Sequence, residues 1–342
     1  MTRRALTLSL AGFLAVALAI LGAVQRVPYV VLSPGPAFDT LGTVGKTPVL
    51  TIRGAKTYPT DGTLSLTTVS VLDEVTLSQA LVAWFKGEEA VVPRELLYPP
   101  DQDKDETKQR NAQQMDQSHD DATAAALRAV GLPVTTRVSV REVSAGQPAE
   151  GRLRAGDVIA SVDGKPVDGV NGLRELLNEQ PPGSAVDVGV LRKGERLTLR
   201  LTTVAAPDDP RRAILGINVG ETSSFPVRVD IQLKDVGGPS AGLMFALGIV
   251  DKLEPGSLTG GRHVAGTGEI SSDGTVRPIG GIAQKLQGAR HSGATVFLVP
   301  ADNCPEARRN VPDGLRLLKV STLEGAVKAL EQLDAGGSPP TC

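Results

Sequence analysis

Apolar residues fill most of the first two dozen positions and then break into shorter runs whose spacing changes along the chain. Arg3 and Arg4 precede an uncharged stretch, Ala5 to Val24, whose only hydroxyl side chains are Thr7 and Ser9. About twenty helical residues at 1.5 Å rise match the roughly 30 Å hydrocarbon core of a bilayer, so the pattern predicts a membrane anchor within residues 1–28. A cleaved signal peptide is the competing reading, but its apolar run is ordinarily shorter and no clean A-x-A site follows this one. An anchor with its positive flank in the cytoplasm leaves the bulk of the chain outside the membrane.

From Tyr29 to Val71 the pattern predicts extended chain. Val49–Ile52 and Leu64–Val71 have strand composition, punctuated by Pro34, Gly35, Pro36, Pro48 and Gly62. Thr76 to Lys86 reads as a helix, with Leu77, Ala80, Leu81 and Trp84 at helical spacing. Pro99 to Gln114 is polar and charged, an exposed loop or the polar end of a helix. Met115 to Val130 then resumes a helix with Ala122, Ala125, Ala126 and Val130 on one face. Residues 131–206 form a module of their own: a strand from Val134, turns from Ser144 to Gly151, a short helix at Val170 to Asn178, and strands near Ala185–Leu191 and Arg196–Thr203. Ala205 to Arg212, rich in proline and charge, reads as a junction. Beyond Leu215 strands and helices alternate. The Val227–Leu233 run enters a glycine-rich turn and an apolar helix, Leu243 to Leu253, and a further helix begins near Gly280.

Composition narrows the function. At 342 residues the chain exceeds one ordinary domain; with only 3% aromatics its cores rest on Val, Leu, Ile and Ala. A formal charge of −2 and no basic patch argue against nucleic acid. No G-x-x-x-x-G-K-[ST] phosphate loop occurs, so no ATP is expected, and no His/Cys/Glu constellation suggests a metal; no cofactor is expected. An extracytoplasmic compartment permits a disulfide between Cys304 and Cys342, the alternative being two unrelated thiols.

The candidate chemistry starts at Ser240, placed where a strand gives way to a helix. Unpaired N–H groups and the helix dipole favour negative charge there, and could stabilise the oxyanion of an acyl transfer. Gly237, Gly238 and Gly242 allow close approach of a substrate backbone. Ser240 could equally be a helix cap, and the segment also fits the G-x-S-x-G elbow of esterases, with His263 or His291 as base. Lys285 is the stronger base. Ile282, Leu286 and Ala289 share one helical face and Lys285 falls on its border, while Gln284, Gln287 and Arg290 point elsewhere. Partial desolvation lowers a lysine's pKa and frees a neutral amine; a lysine reaching past the edge to water is the bland reading.

Two resemblances sharpen this picture. "GQPAEGRLRAGDVIASVDGKPV" looks like the middle of a bacterial-protease PDZ domain. That implies an added peptide strand, with Gly131 and Leu132 in the carboxylate loop and the Val134 strand and Val170–Asn178 helix as groove walls. "GGPSAG" followed by "GTGEISSDGTVRPIGGIAQKLQGARHSGATVFLVP" resembles the Lon proteolytic domain. The resemblance implies Ser240 as nucleophile, Lys285 as base, Thr267 as the hydroxyl holding them in register, and Gly237, Gly238 and Ala241 around the oxyanion. Ala283 stands where Lon often has an earlier lysine, and Gly237 where it usually has an acid. The whole chain is similar to the PDZ-containing Lon-like (YlbL-like) peptidases. This implies an α+β fold: anchor 1–28, catalytic parts 29–130 and 207–342 with mixed sheets, and an inserted PDZ domain, 131–206. The expected activity is ATP-independent cleavage of flexible extracytoplasmic polypeptides, from a homo-oligomeric ring at the cell membrane. The alternative is a tethered, inactive PDZ adaptor.

Overall fold

The computed structural model describes residues 3–98, 104–233 and 236–342, with the side chains of residues 3–9, 18–20 and 104–105 left aside. The chain divides into two compact units. One comprises Met1–Val130 and Val229–Cys342, and the other is Gly131–Arg228.

The first unit is built on a six-stranded mixed sheet. Its spatial order is Arg316–Val320, Val296–Pro300, His263–Gly266, Thr63–Leu72, Tyr29–Asp39, Ala90–Pro93. The first four strands run parallel, and the last two add antiparallel. Strand residues alternate between two cores because successive side chains point to opposite faces. Val296 and Leu298 enter one cluster, with Leu64, Leu66, Val264 and Leu318. Phe297 and Val299 enter the other, with Ala265 and Leu317. Buried strands of this kind read as continuous apolar runs, as in Val296–Pro300, which is buried throughout.

The Gly242–Leu253 helix fills the first core and is buried along nearly its whole length. Around it pack the Lys104–Ala129 and Leu323–Asp334 helices, the former through Met115, Ala122, Ala125 and Ala126. Residues 104–114, read from sequence as a loop or a polar helix end, belong to that helix; the rest of the polar stretch, residues 99–103, lies outside the described residues. The Ile282–His291 helix covers the second core. There Cys304 and Cys342 are bonded, with Cα atoms 5.1 Å apart. The bridged tail runs beside the outer strand, where the Lys319 N–H donates to the Pro340 carbonyl at 3.0 Å and shields part of an edge.

The amino terminus forms a helix, Arg3–Val24. The expected anchor falls partly outside the described residues, and among those described no helix is long and apolar enough to cross a membrane.

The second unit holds its own sheet, in the order Glu195–Thr202, Ala185–Arg192, Val158–Val162, Thr135–Val143, Ile217–Ser224, with the Gly169–Asn178 helix packed on it. Asp163 and Gly164 both take positive φ, 49° and 78°, as the two-residue turn before Lys165 requires. The unit runs past residue 206 to Arg228, because Ile217–Ser224 pairs along the full length of Thr135–Val143. A buried ion pair braces it. The Asp157 carboxylate, 1% exposed, accepts from the Arg192 guanidinium at 2.7 and 2.8 Å and from the Arg154 N–H at 2.9 Å. The Arg192 hydrogen bonds, chief among these contacts, hold the carboxyl below its ordinary range.

Candidate active site

Ser240 lies in the turn that feeds the Gly242–Leu253 helix. That helix can start here only because Gly242 has no side chain: a Cβ would come within 2.8 Å of both Ile270 Cγ2 and Ser118 Oγ. The Ser240 carbonyl is held from two sides, accepting the Gly268 N–H and the Thr267 hydroxyl, each at 2.9 Å. The turn therefore docks directly onto the 267–268 segment at the end of the His263–Gly266 strand.

Lys285 reaches the same point from the other side. It is 3% exposed, for a reason only half visible in the sequence. Ile282, Leu286 and Ala289 enter the second core as their spacing suggests. A second side of the helix, at Gly281, Gln284 and Gly288, abuts the Tyr29–Asp39 and Thr63–Leu72 strands. A Cβ at Gly288 would lie 2.8 Å from the Gly35 carbonyl oxygen, and one at Gly281 would lie 2.7 Å from Val69 Cγ2. Gln284, expected to point away from the core, is 6% exposed and belongs to this second side. Lys285 falls in the sector between the two buried sides, so its side chain is held almost wholly out of water.

Lys285 Nζ donates to Ser240 Oγ at 2.8 Å and to Thr267 Oγ1 at 2.9 Å. Burial is what drops its pKa from 10.5 to about 7. Among the described residues no carboxylate partner offsets that desolvation, so the neutral amine is well populated near neutral pH. Thr267, fully buried, sets the direction of the bonds. Its single hydroxyl proton is committed to the Ser240 carbonyl, so its oxygen can only accept from Lys285. With that N–H spent on Thr267, a lone pair of the neutral amine is free to face the Ser240 hydroxyl.

A cleft of about 1130 Å³ opens over Ser240 and Lys285, lined by Leu66 to Val71, Phe38, Val236, Gly237 and Ala241 among others. Of the three residues assigned to the oxyanion loop, Gly238 does not fit: its N–H donates to the Asn111 carbonyl at 3.1 Å. The N–H groups of Gly237, Ser240 and Ala241 have no partner among the described residues. Asn111 was missed because the interval to Gly238 gives no local signal. The histidines stand apart. Neither His263 nor His291 lines the cleft, and the His291 imidazole faces Glu88 at 3.5 Å. Among the described residues no group of His, Cys, Asp or Glu could hold a metal.

In the second unit the expected groove needs correction. Gly131, Leu132 and Val134 lead into the Thr135–Val143 strand, but that strand is interior, flanked by Val158–Val162 and Ile217–Ser224. It has no free edge to offer a peptide. The edge beside the Gly169–Asn178 helix belongs to Ile217–Ser224, where Glu221 Oε2 accepts the Val170 N–H at 2.8 Å. Sequence order hid this, since the strand that completes the sheet follows all the others.

Two family models match the chain. A PDZ domain matches residues 110–203, and the Lon protease (S16) C-terminal proteolytic domain matches residues 232–332. The chain combines a PDZ domain with a Lon-type proteolytic domain. The Lon-type match contains Ser240, Thr267 and Lys285. The PDZ match begins inside the Lys104–Ala129 helix of the first unit and stops short of Ile217–Ser224. Lon protease 2 of Bacillus subtilis is 36% identical over 26% of this chain and 16% of its own length. The Lon protease of Azospirillum brasilense is 39% identical over 27% of this chain and 11% of its own. The chain thus spans a small part of the relatives it matches. The PDZ domain of an SdrC-like protein from Listeria innocua aligns with 24% of this chain and 92% of its own, at 21% identity and a TM-score of 0.23.

Proposed function

We propose that the chain is a membrane-anchored, ATP-independent serine endopeptidase acting on flexible extracytoplasmic polypeptides. The observation that carries the reading is the Lys285 amine, buried with no counter-ion among the described residues and 2.8 Å from Ser240 Oγ. In the first step the neutral amine takes the Ser240 proton as Oγ attacks the peptide carbonyl. The tetrahedral oxyanion is met by the unpartnered N–H groups of Gly237, Ser240 and Ala241. The Lys285 ammonium then protonates the leaving amine, and the recovered amine activates water to release the acyl group. Thr267 positions Lys285 throughout.

Other parts of the proposal draw on the sequence. The uncharged run from Ala5 to Val24 supports the anchor, with the positive flank in the cytoplasm. The missing phosphate loop and the Cys304–Cys342 bridge fit an extracytoplasmic enzyme that needs no nucleotide. A homo-oligomeric ring follows from the Lon likeness alone. The PDZ unit would take an extended polypeptide at the Ile217–Ser224 edge. Cleavage of unfolded casein by the full chain tests the reading: Ser240→Ala and Lys285→Ala should each slow turnover by about 10²-fold or more. A variant as fast as wild type would remove the assignment and leave a tethered peptide binder.

A further inference from the structure

The Leu77–Phe85 helix is attached by its two small residues. Only Ala80 and Ala83 are buried, against Val31 and Val75. The residues whose helical spacing suggests a core-facing stripe, Leu77, Leu81 and Trp84, point outward instead, joined by Val82 and Phe85. Trp84 is 75% exposed and Phe85 89%. A surface helix ordinarily turns its polar residues outward, and five large apolar side chains on one exposed face call for a covering.

Its position says what covers it. The Arg3–Val24 helix, itself exposed at Leu21 and Val24, ends at the start of this helix. The Gln25 carbonyl accepts the Leu77 N–H at 2.9 Å, the Val75 carbonyl accepts the Val27 N–H at 3.0 Å, and Arg26 pairs with Thr76. The two apolar surfaces are therefore continuous. Nine residues make a helix of about 14 Å, far too short to span a bilayer but suited to lying in its interface. An indole combines a large apolar body with one N–H donor, which suits the boundary between acyl chains and headgroups. The neighbouring charges, Arg26, Glu74, Lys86, Glu88 and Glu89, are of both signs.

We infer that the Leu77–Phe85 helix is a second membrane contact, its Trp84–Phe85 end inserted among lipids beside the anchor. The inference rests on the anchor reading. Contact is apolar, so zwitterionic lipid suffices and salt has little effect. It pins the first unit to the bilayer surface at a point separate from the anchor.

Trp84 is the only tryptophan in the chain, so its fluorescence reports this site alone. The test uses the full chain reconstituted in phosphatidylcholine vesicles, with flotation to score anchoring and brominated acyl chains as the lipid-side quencher. Expected are flotation, a blue-shifted emission, at least twofold quenching by shallow bromines and protection from aqueous acrylamide. Leu81→Asp with Phe85→Asp should remove the quenching while leaving flotation and peptide cleavage unchanged, since both side chains are exposed. A floating protein whose Trp84 is open to acrylamide and untouched by bromines overturns the lipid contact and spares the anchor. Protection from acrylamide without lipid quenching means protein covers the face, and overturns it too. A chain that does not float overturns both readings.

Discussion

Lys285 and Asp157 are both charged residues drawn almost wholly out of water, one in each unit, and the chain treats them in opposite ways. Asp157 is given a guanidinium and a backbone N–H, so its charge is kept and its pKa falls. Lys285 is given two hydroxyls and, among the described residues, no anion, so its charge is disfavoured and its pKa falls to about 7. The same desolvation yields a structural brace where a counter-charge is present and, on the proposed mechanism, a base where it is withheld.

Removing the reactive groups should break this contrast most severely. Ser240→Ala is expected to lower kcat/KM by about 10⁴-fold or more. Lys285→Met should lower it by about 10²–10⁴-fold, in the range of a lost general base. The same methionine should raise unfolding stability at neutral pH, by on the order of a few kcal/mol, because it removes a desolvation penalty. Urea unfolding checks that opposition; a destabilised Lys285→Met protein would contradict an uncompensated burial.

Arg192→Leu should behave the other way. It strands a buried carboxylate and should destabilise the second unit by about 3–5 kcal/mol. The double variant Arg192→Leu, Asp157→Leu should recover most of that loss in the same unfolding measurement. Opening the Cys304–Cys342 bridge with paired serines should cost about 3–4 kcal/mol, given a sequence separation of 38 residues. Because that bridge lies in the core beneath the Lys285 helix, a loosened core would also move the activity profile to higher pH.

Thr267→Val should have the smallest effect, about 10–100-fold in kcat with KM little changed, from the loss of the hydroxyl's two buried hydrogen bonds, to the Ser240 carbonyl and from Lys285. Thr267→Ser should restore most of the activity, and parallel steady-state kinetics on the two variants checks this. An unrescued serine variant would mean the methyl group, and not the hydroxyl, is what matters.

The serine and lysine were legible because both sit in local motifs with a one-dimensional signature, the glycine-rich turn and the Pro-Ile-Gly-Gly helix start. What the sequence hid was contributed by distant chain. The second wall around Lys285 comes from the Tyr29–Asp39 and Thr63–Leu72 strands, so Gln284 could not be recognised as buried. The Gly238 N–H is taken by Asn111, a residue whose polar surroundings suggested only a loop or a helix end. The free sheet edge beside the Gly169–Asn178 helix could not be placed because Ile217–Ser224 joins its sheet last. Helical spacing showed that Thr76–Lys86 was a helix, yet could not say that Ala80 and Ala83 face inward while Trp84 faces out.

Burial of an unpaired amine also fixes the sign of two pH dependences. Between about 7 and 10.5 Lys285 is neutral in the folded chain and protonated in the unfolded one. The unfolded state then holds the extra proton, and this residue's contribution to stability rises with pH across that window. Below about 7 both states are protonated, and the folded chain bears the whole penalty. Asp157 contributes stability above the ordinary carboxylate range and loses it as pH falls through its depressed value.

The most direct test is the pH–rate profile of kcat/KM for a short peptide, measured with the wild-type chain and Lys285→Met. The account predicts a wild-type rate that climbs with pH and reaches half its plateau near 7, and a residual methionine activity without that climb. A half-rise near the ordinary lysine value, or the same climb persisting in the methionine variant, would contradict it.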